Sequence, residues 1–449
     1  MSSTIAFHRQ IEVRHEVDVF VAGGGPAGVA AAVAAARQGA RVFLAEGQAC
    51  LGGMGTAGLV PAWMTFGDGE RFLAAGVGEE VLDRTHAAGG TSSRYDPARK
   101  HGGGADINAE VLKRVYDDML VEAGVGFAFH TAMIDVLADG GRVTAAVCAA
   151  KSGLFAVKAR MYVDGTGDGD LAAWAGAPFE KGDEHGRMMP GTLCQLWANV
   201  DWPTYLAEGK PRVGEQLPGA LDDGVIEQYD LHLPGLWQVS ETLGGGNVGH
   251  TFGVDGTDER SLTEALIFGR RLIPQYERFY KEYVRAGLER MELAATGSLL
   301  GLRETRRILG DYVLCLDDFK RRAVFDDEIG RYCYPVDIHP LKPGKAEFER
   351  FHAEWTALRC GPGESYGIPY RILLPRKLDN VLVAGRCVST DRSLQGSLRV
   401  MPGCYITGQA AGVAAAMAAD AGGEADARAV HVKALQRRLV ALGACLPNA

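Results

Sequence analysis

The stretch that most constrains how this chain can fold runs from Asp18 to Glu46. Asp18-Val19-Phe20-Val21-Ala22 leads into Gly23-Gly24-Gly25-Pro26-Ala27-Gly28, an alanine-rich run follows, and Arg41-Val42-Phe43-Leu44-Ala45-Glu46 closes the unit. An apolar run of this kind predicts a parallel strand buried on both faces. Gly23, Gly25 and Gly28 have the spacing G-x-G-x-x-G. In that pattern the first glycine makes a tight turn, the second lets the backbone approach a pyrophosphate, and the third lets helix pack closely on strand. Pro26 and Ala27 open the helix, whose N-terminal N–H groups and partial positive charge attract the pyrophosphate. Glu46 ends the second strand about 20 residues further on, where a carboxylate accepts hydrogen bonds from ribose hydroxyls. The glycine spacing alone is a weak signal. Strand, helix, strand and acid in that order predict a dinucleotide site, with NAD and FAD both open.

Composition narrows the class. A chain of 449 residues is long enough for two or three structural units. Its 47% hydrophobic and 23% charged residues are those of an ordinary soluble globular protein. A formal charge of −9 opposes a nucleic-acid-binding surface, which is basic. No apolar run approaches the roughly 20 residues that span a bilayer, and Met1-Ser2-Ser3-Thr4 has no signal-peptide character. The expectation is a cytoplasmic protein with neither membrane nor nucleic acid as partner. The nine cysteines are scattered without a C-x-x-C pair, which opposes an iron–sulfur cluster or structural zinc, so no metal is expected.

Further along, Asp106 is placed as the N-cap of a helix ending near Gly124. Short strands follow from Gly126 to Val163, separated by turns at Asp139-Gly140-Gly141 and Ser152-Gly153. Residues 181–375 differ in texture and include a long polar helix at about 261–287. The C-terminal part returns to the first style, with the strand Asn380 to Gly385 and an alanine-rich helix from Tyr405 to Ala419. The expected fold is α/β: a Rossmann-like dinucleotide domain built from 14–58, 105–180 and 376–445, and an inserted mixed α+β substrate or cap region from 59–104 and 181–375. The cleft between the two is the expected site.

Four segments together resemble the FAD-dependent oxidoreductase family of the glutathione-reductase-like flavoproteins. They are Gly23–Gly28 with Glu46 and Cys50-Leu51-Gly52-Gly53-Met54-Gly55-Thr56; Val163-Asp164-Gly165-Thr166-Gly167-Asp168-Gly169-Asp170; Gly301-Leu302-Arg303-Glu304-Thr305-Arg306-Arg307-Ile308; and Asn380 to Ser389 with Gly396-Ser397-Leu398-Arg399-Val400-Met401-Pro402. Gly165 stands where similar proteins commonly have alanine. The resemblance implies FAD as cofactor. It also implies FAD contacts at Gly23, Gly25, Pro26, Ala27, Gly28, Glu46, Gly47, Gly52, Gly53, Met54, Ala132, Gly167, Asp168, Gly385, Arg386, Ser397, Arg399 and Met401. The helix after Pro402 would aim its positive end at the flavin N1–C2 carbonyl edge.

Hydride transfer to flavin N5 needs no protein nucleophile, but a base or acid often handles the coupled proton. His339 and His250 are the candidate proton carriers, each also readable as a structural histidine. Tyr366 is a third, also readable as a wall aromatic. Arg303, Arg306 and Arg307 are placed on one face of a helix start. Salt bridges, the FAD diphosphate or a substrate carboxylate could each answer their charge, and Arg303 is expected to reach the cleft. The leading expectation is an FAD-dependent dehydrogenase or oxidase acting on a small polar substrate, passing electrons to an unidentified acceptor. A reductase or monooxygenase fed by NAD(P)H is the alternative, weakened because Gly244-Gly245-Gly246 does not begin a second nucleotide unit. A non-catalytic or tRNA-modification-associated flavoprotein is the remaining class. A homodimer is possible.

Overall fold

The computed structural model describes residues 4–448 apart from 93, 94, 233 and 356. The elements that position the site are, in chain order, β1 (Glu12–Ala22), α1 (Pro26–Arg37), β2 (Val42–Ala45), α2 (Ala109–Glu122), β3 (Gly126–Ala128), β4 (Ala132–Asp139), β5 (Arg142–Ala150), β6 (Gly153–Asp164), α3 (Glu259–Arg278), β7 (Val381–Val383) and α4 (Met401–Asp420). The chain is a mixed α/β protein around a seven-stranded sheet. β1 pairs in parallel with β2 on one side and β6 on the other, and β3 extends the parallel run beyond β2. The far edge of β6 is divided. Its first residues pair antiparallel with β5, which pairs with β4; Tyr162 to Asp164 pair in parallel with β7. The segments expected to form the nucleotide unit thus meet in one sheet, and β1, β6 and β7 deliver their carboxyl ends side by side.

Helix α1 is buried because it is sandwiched: its alanines and valines from Ala27 to Ala35 carry almost no solvent exposure. Its partner is α4, and small residues set the distance between them. A Cβ on Gly408 or Gly412 would lie 2.3 Å from the Ala27 carbonyl oxygen or 2.1 Å from that of Ala31. Helix α2 begins at Ala109, two residues later than the sequence suggested. The Asn108 side chain takes the N–H groups of Glu110 and Val111 and is the true N-cap. Asp106 instead accepts from the backbone N–H and hydroxyl of Ser92.

A second hydrophobic core, running from Leu193 to Leu300, is built of a four-stranded antiparallel sheet and α3. Asp258 caps α3 through the N–H groups of Arg260 and Ser261. This second core is smaller than the inserted region drawn from sequence. Trp63, Phe66, Val77 and Leu82, and likewise Tyr332, Tyr366 and Ile368, pack into the first core. The segment around Arg303 also differs from expectation, being extended and not helical. Gly301 bridges Thr192, and Arg306–Ile308 pairs antiparallel with Phe179–Lys181. The three arginines therefore do not share a face. Arg306 reaches Asp170, Arg307 reaches the fully buried Glu304, and only Arg303 turns toward the cleft. Among the described residues no helix is long and apolar enough to cross a membrane.

Candidate active site

A cavity of about 380 Å³ lies over the carboxyl ends of β1, β2 and β6. At one end Glu46, Gly47 and Ala132 form its wall; Gly23, Gly25, Pro26, Ala27, Gly167 and Asp168 follow; and Gly53, Met54, Gly385, Arg386, Arg399 and Met401 close the other end. Fifteen of the eighteen positions implied by resemblance thus line one continuous space. The other three act differently. Gly28 lies behind the turn, where a Cβ would sit 1.8 Å from the Gly23 carbonyl oxygen, so its role is close packing of helix on strand. Gly52 is left-handed, with φ of 100°, and a Cβ there would meet Tyr116 at 2.6 Å. Its N–H bonds the Gly24 carbonyl at 2.7 Å, docking one loop on the other. Ser397 is fully buried, shares a hydrogen bond with the Tyr366 hydroxyl at 2.7 Å, and lines neither this cavity nor its neighbour.

The cavity suits a dinucleotide on its own chemistry. Glu46 accepts from the N–H groups of Gly24 and Gln48, both at 2.7 Å, which fixes the carboxylate while leaving lone pairs for ribose hydroxyls. Burial pushes its carboxyl up, and those N–H groups pull it back. Gly25 caps α1 with no side chain, so first-turn N–H groups stay available to a pyrophosphate. A Cβ on Gly25 would touch protein only at 3.9 Å, on its Gly165 side. Arg386 is held from three directions, donating to the Gly167 and Leu302 carbonyls and to Asp168.

A second, smaller cavity of about 150 Å³ adjoins the first and shares Met54, Leu302, Arg386, Arg399 and Met401 with it. Arg303, His339, His232, Asn247, Asp337 and Tyr334 complete its wall. His250 sits directly behind, fully buried. The structure thus brings together His339, His250 and Arg303, three residues far apart in sequence. It removes Tyr366 from the site: that ring is fully buried, bonded to Ser397, and absent from both cavity walls.

The hydrogen-bond network restricts the protonation pattern of the histidines. Asp230, itself buried, accepts from the His250 backbone N–H at 2.7 Å and faces its Nδ1 at 3.0 Å. A carboxylate only accepts, so Nδ1 carries the proton and His250 Nε2 is an acceptor. His339 Nδ1 lies 3.0 Å from that Nε2 and must donate to it. His339 Nε2 in turn faces the Asp337 carboxylate at 3.3 Å; a carboxylate only accepts, so with both rings neutral the two ring protons serve only two of the three contacts between Asp230 and Asp337. Burial pushes His339 well below the usual imidazole range, and the Arg303 guanidinium adds to this. His250 is also lowered by burial, with Asp230 opposing. Burial raises Asp230, but His250 more than offsets it and the carboxyl ends below its ordinary value.

Arg303 donates from Nη1 to the Pro190 carbonyl at 2.8 Å and the Thr192 hydroxyl at 3.0 Å. From Nη2 it reaches His232 Nε2 at 3.0 Å and Asn247 Oδ1 at 3.5 Å. Burial, and then the nearby Arg399, lower it to about 10. Sequence reasoning missed Asp230, His232, Asn247 and Asp337. The only local signal was the Asx turn in which Asp230 accepts from the His232 N–H.

Nitrogens of His232, His250 and His339 lie within 4.8 Å of one another, a spacing that metal ligands can have. The donor set does not fit a cation. The Arg303 guanidinium points at His232 Nε2, and a donor there leaves the ring's proton on Nδ1. The rings of His232 and His250 are also stacked, 4.3 Å apart with planes 21° from parallel, so their lone pairs do not converge.

The sequence matches the model of the family described as FAD dependent oxidoreductase over residues 18–439. No curated protein matches it. Among solved structures it is similar to a geranylgeranyl bacteriochlorophyll reductase-like protein from Thermoplasma acidophilum, at 11% identity and a TM-score of 0.43, covering 95% of this chain and 82% of that one. It is similar to L-proline dehydrogenase from P. horikoshii at 10% identity and 0.42, covering 89% and 92%. It is also similar to the myxobacterial chondrochloren halogenase CndH at 15% identity and 0.41, covering 95% and 78%.

Proposed function

This chain belongs to the FAD dependent oxidoreductase family, and from that premise we propose that it is a dehydrogenase or oxidase of the glutathione-reductase-like type that oxidises a small polar molecule in the cavity beside the cofactor. FAD, when bound, supplies the two-electron chemistry by accepting a hydride from substrate carbon at N5. The chain's own residues handle binding and the proton. Glu46 would hold the ribose, and the first turn of α1, Gly167 and Gly385 would meet the diphosphate. Met54, Arg399 and Met401 would bound the flavin end, where the two cavities join.

The observation that carries the reading is His339, which lines the cavity with an Asp230–His250 pair behind its Nδ1 and Asp337 beside its Nε2. As the C–H bond is oxidised, the substrate's O–H or N–H must lose a proton, and Nε2 is placed to take it. The imidazolium that results gains the Asp337 carboxylate as neighbour. Asp230 and His250 are positioning residues, holding the tautomer and ring orientation much as a buried aspartate does behind a catalytic histidine.

The test compares wild type with His339→Gln, both loaded with FAD, as anaerobic loss of flavin colour on addition of small alcohols, amines and their acids. We expect substrate reduction to slow by about 10²–10⁴-fold in the variant, while dithionite bleaches both equally. Equal substrate rates in the two proteins would remove His339 from the mechanism.

A further inference from the structure

Arg303 is a buried cation whose partners are neutral. Its acceptors are a carbonyl, a hydroxyl, an imidazole and a carboxamide, and no carboxylate among the described residues lies within ion-pair distance of it. Arg303 is 6% exposed, and a guanidinium taken out of water without a counter-charge is costly. The other internal arginines of this chain answer that cost differently: Arg307 meets Glu304, and Arg331 meets Glu328, each pair at 2.6 Å. Arg303 stands apart from this pattern, and it lines the cavity next to the cofactor space.

Arg399 lines the same cavity and gives Nη2 to Asp337 at 2.8 Å, while its buried Nε has no partner. Asp337 is thus the one carboxylate in the cavity wall, and it is shared between Arg399 and His339. The cavity therefore carries an excess of positive charge, concentrated at Arg303.

We propose that this site takes a small carboxylic acid, with its carboxylate on Arg303 and Arg399 and its oxidisable carbon next to the carboxylate, as in a 2-hydroxy or 2-amino acid. This rests on the preceding reading of the site and names its substrate class. The guanidinium is suited to a planar, two-oxygen anion. The weakest of its contacts, the 3.5 Å approach to Asn247, is the one a carboxylate would replace. His232 links the two ends of the site, 3.0 Å from the guanidinium and with its ring centroid 4.6 Å from that of His339. A carboxylate at one end leaves the base facing the substituent on the adjacent carbon.

Binding tests the proposal without turnover. The FAD-loaded protein is titrated with acetate, propionate and benzoate, and with acetamide, propionamide and benzamide, while the flavin absorbance band is followed. The acids should perturb the band saturably and the amides should bind at least about tenfold more weakly, since they offer neutral groups to a desolvated cation. Arg303→Met should weaken the acids by about tenfold or more, with Arg303→Lys between the two. Turnover is not read in this titration, so a failed base assignment leaves its outcome untouched. Amides binding as well as acids, or no perturbation by any acid up to tens of millimolar, would overturn the carboxylate site. The wild-type acid and amide series decides the question even where the arginine variants fail to fold.

Discussion

At the scale of single residues, the site is a set of tautomers and charges imposed by burial. His339 is neutral at pH 7 because desolvation and Arg303 both disfavour its charged form. The sign follows directly: kcat/KM requires the neutral ring, so it should hold constant as pH falls through 6.5 and decline only below that ordinary imidazole value. Arg303→Met removes the largest of the neighbouring charges that lower it and should move the acid limb upward. A wild-type limb at or above 6.5, or one that does not move in the variant, would contradict the assignment. Most of the residues that line the larger cavity were legible in the sequence because each belongs to a short motif whose geometry is local. The proton network was not. Asp230, His250 and His339 come from three separate segments, and nothing in the neighbourhood of any one of them announces the other two. Tyr366 illustrates the reverse error. It is a third candidate proton carrier in the sequence, yet its strand is covered and its hydroxyl is used by Ser397.

At the scale of elements, the cofactor end of the molecule depends on how closely α1 and α4 approach. Both helices are rich in alanine and glycine, so their backbones nearly touch. That contact fixes where α1 presents its N-terminus and where Met401 and Cys404 meet the cavity. Gly412→Val would drive a branched side chain against the Ala31 carbonyl. We expect a loss of about 1–3 kcal/mol or more, read as a lower denaturation midpoint together with weaker FAD retention. Gly422→Ala, where a Cβ would meet open space, should leave both unchanged. The nucleotide unit was readable because strand, turn and helix are each specified by adjacent residues. The arginine segment was misread for the same reason. Arg303, Arg306 and Arg307 have helical spacing, but pairing with Phe179–Lys181 and with Thr192 made the segment extended. The acidic partner of Arg306, Asp170, and the more distant of the two that meet Arg307, Glu180, lie far upstream. Local spacing had no access to either fact.

At the scale of the whole molecule, two hydrophobic cores share the cofactor space. Gly256, Leu262, Leu266 and Leu300 come from the second unit and face the glycine-rich turn of the first across the cavity. The same juxtaposition creates the smaller cavity, walled by His232 and Asn247 from one side and by Met54, Arg399 and Met401 from the other. The extent of the second core was hard to read from sequence because residues 59–104 and 306–375 resemble insert in composition but bury their aromatic side chains in the first core. Gly244–Gly246, another run of three glycines, is a strand within the four-stranded antiparallel sheet and not a phosphate-binding turn. On the proposed reading, electrons enter from the molecule bound beside His339. The most direct measurement is the anaerobic absorbance of the FAD-loaded protein after addition of NADH or NADPH, followed by small 2-hydroxy and 2-amino acids. The account predicts that the nicotinamides leave the flavin band intact while a member of the acid series bleaches it. Rapid bleaching by either nicotinamide, with no response to the acids, would contradict it and make the protein a reductase or monooxygenase.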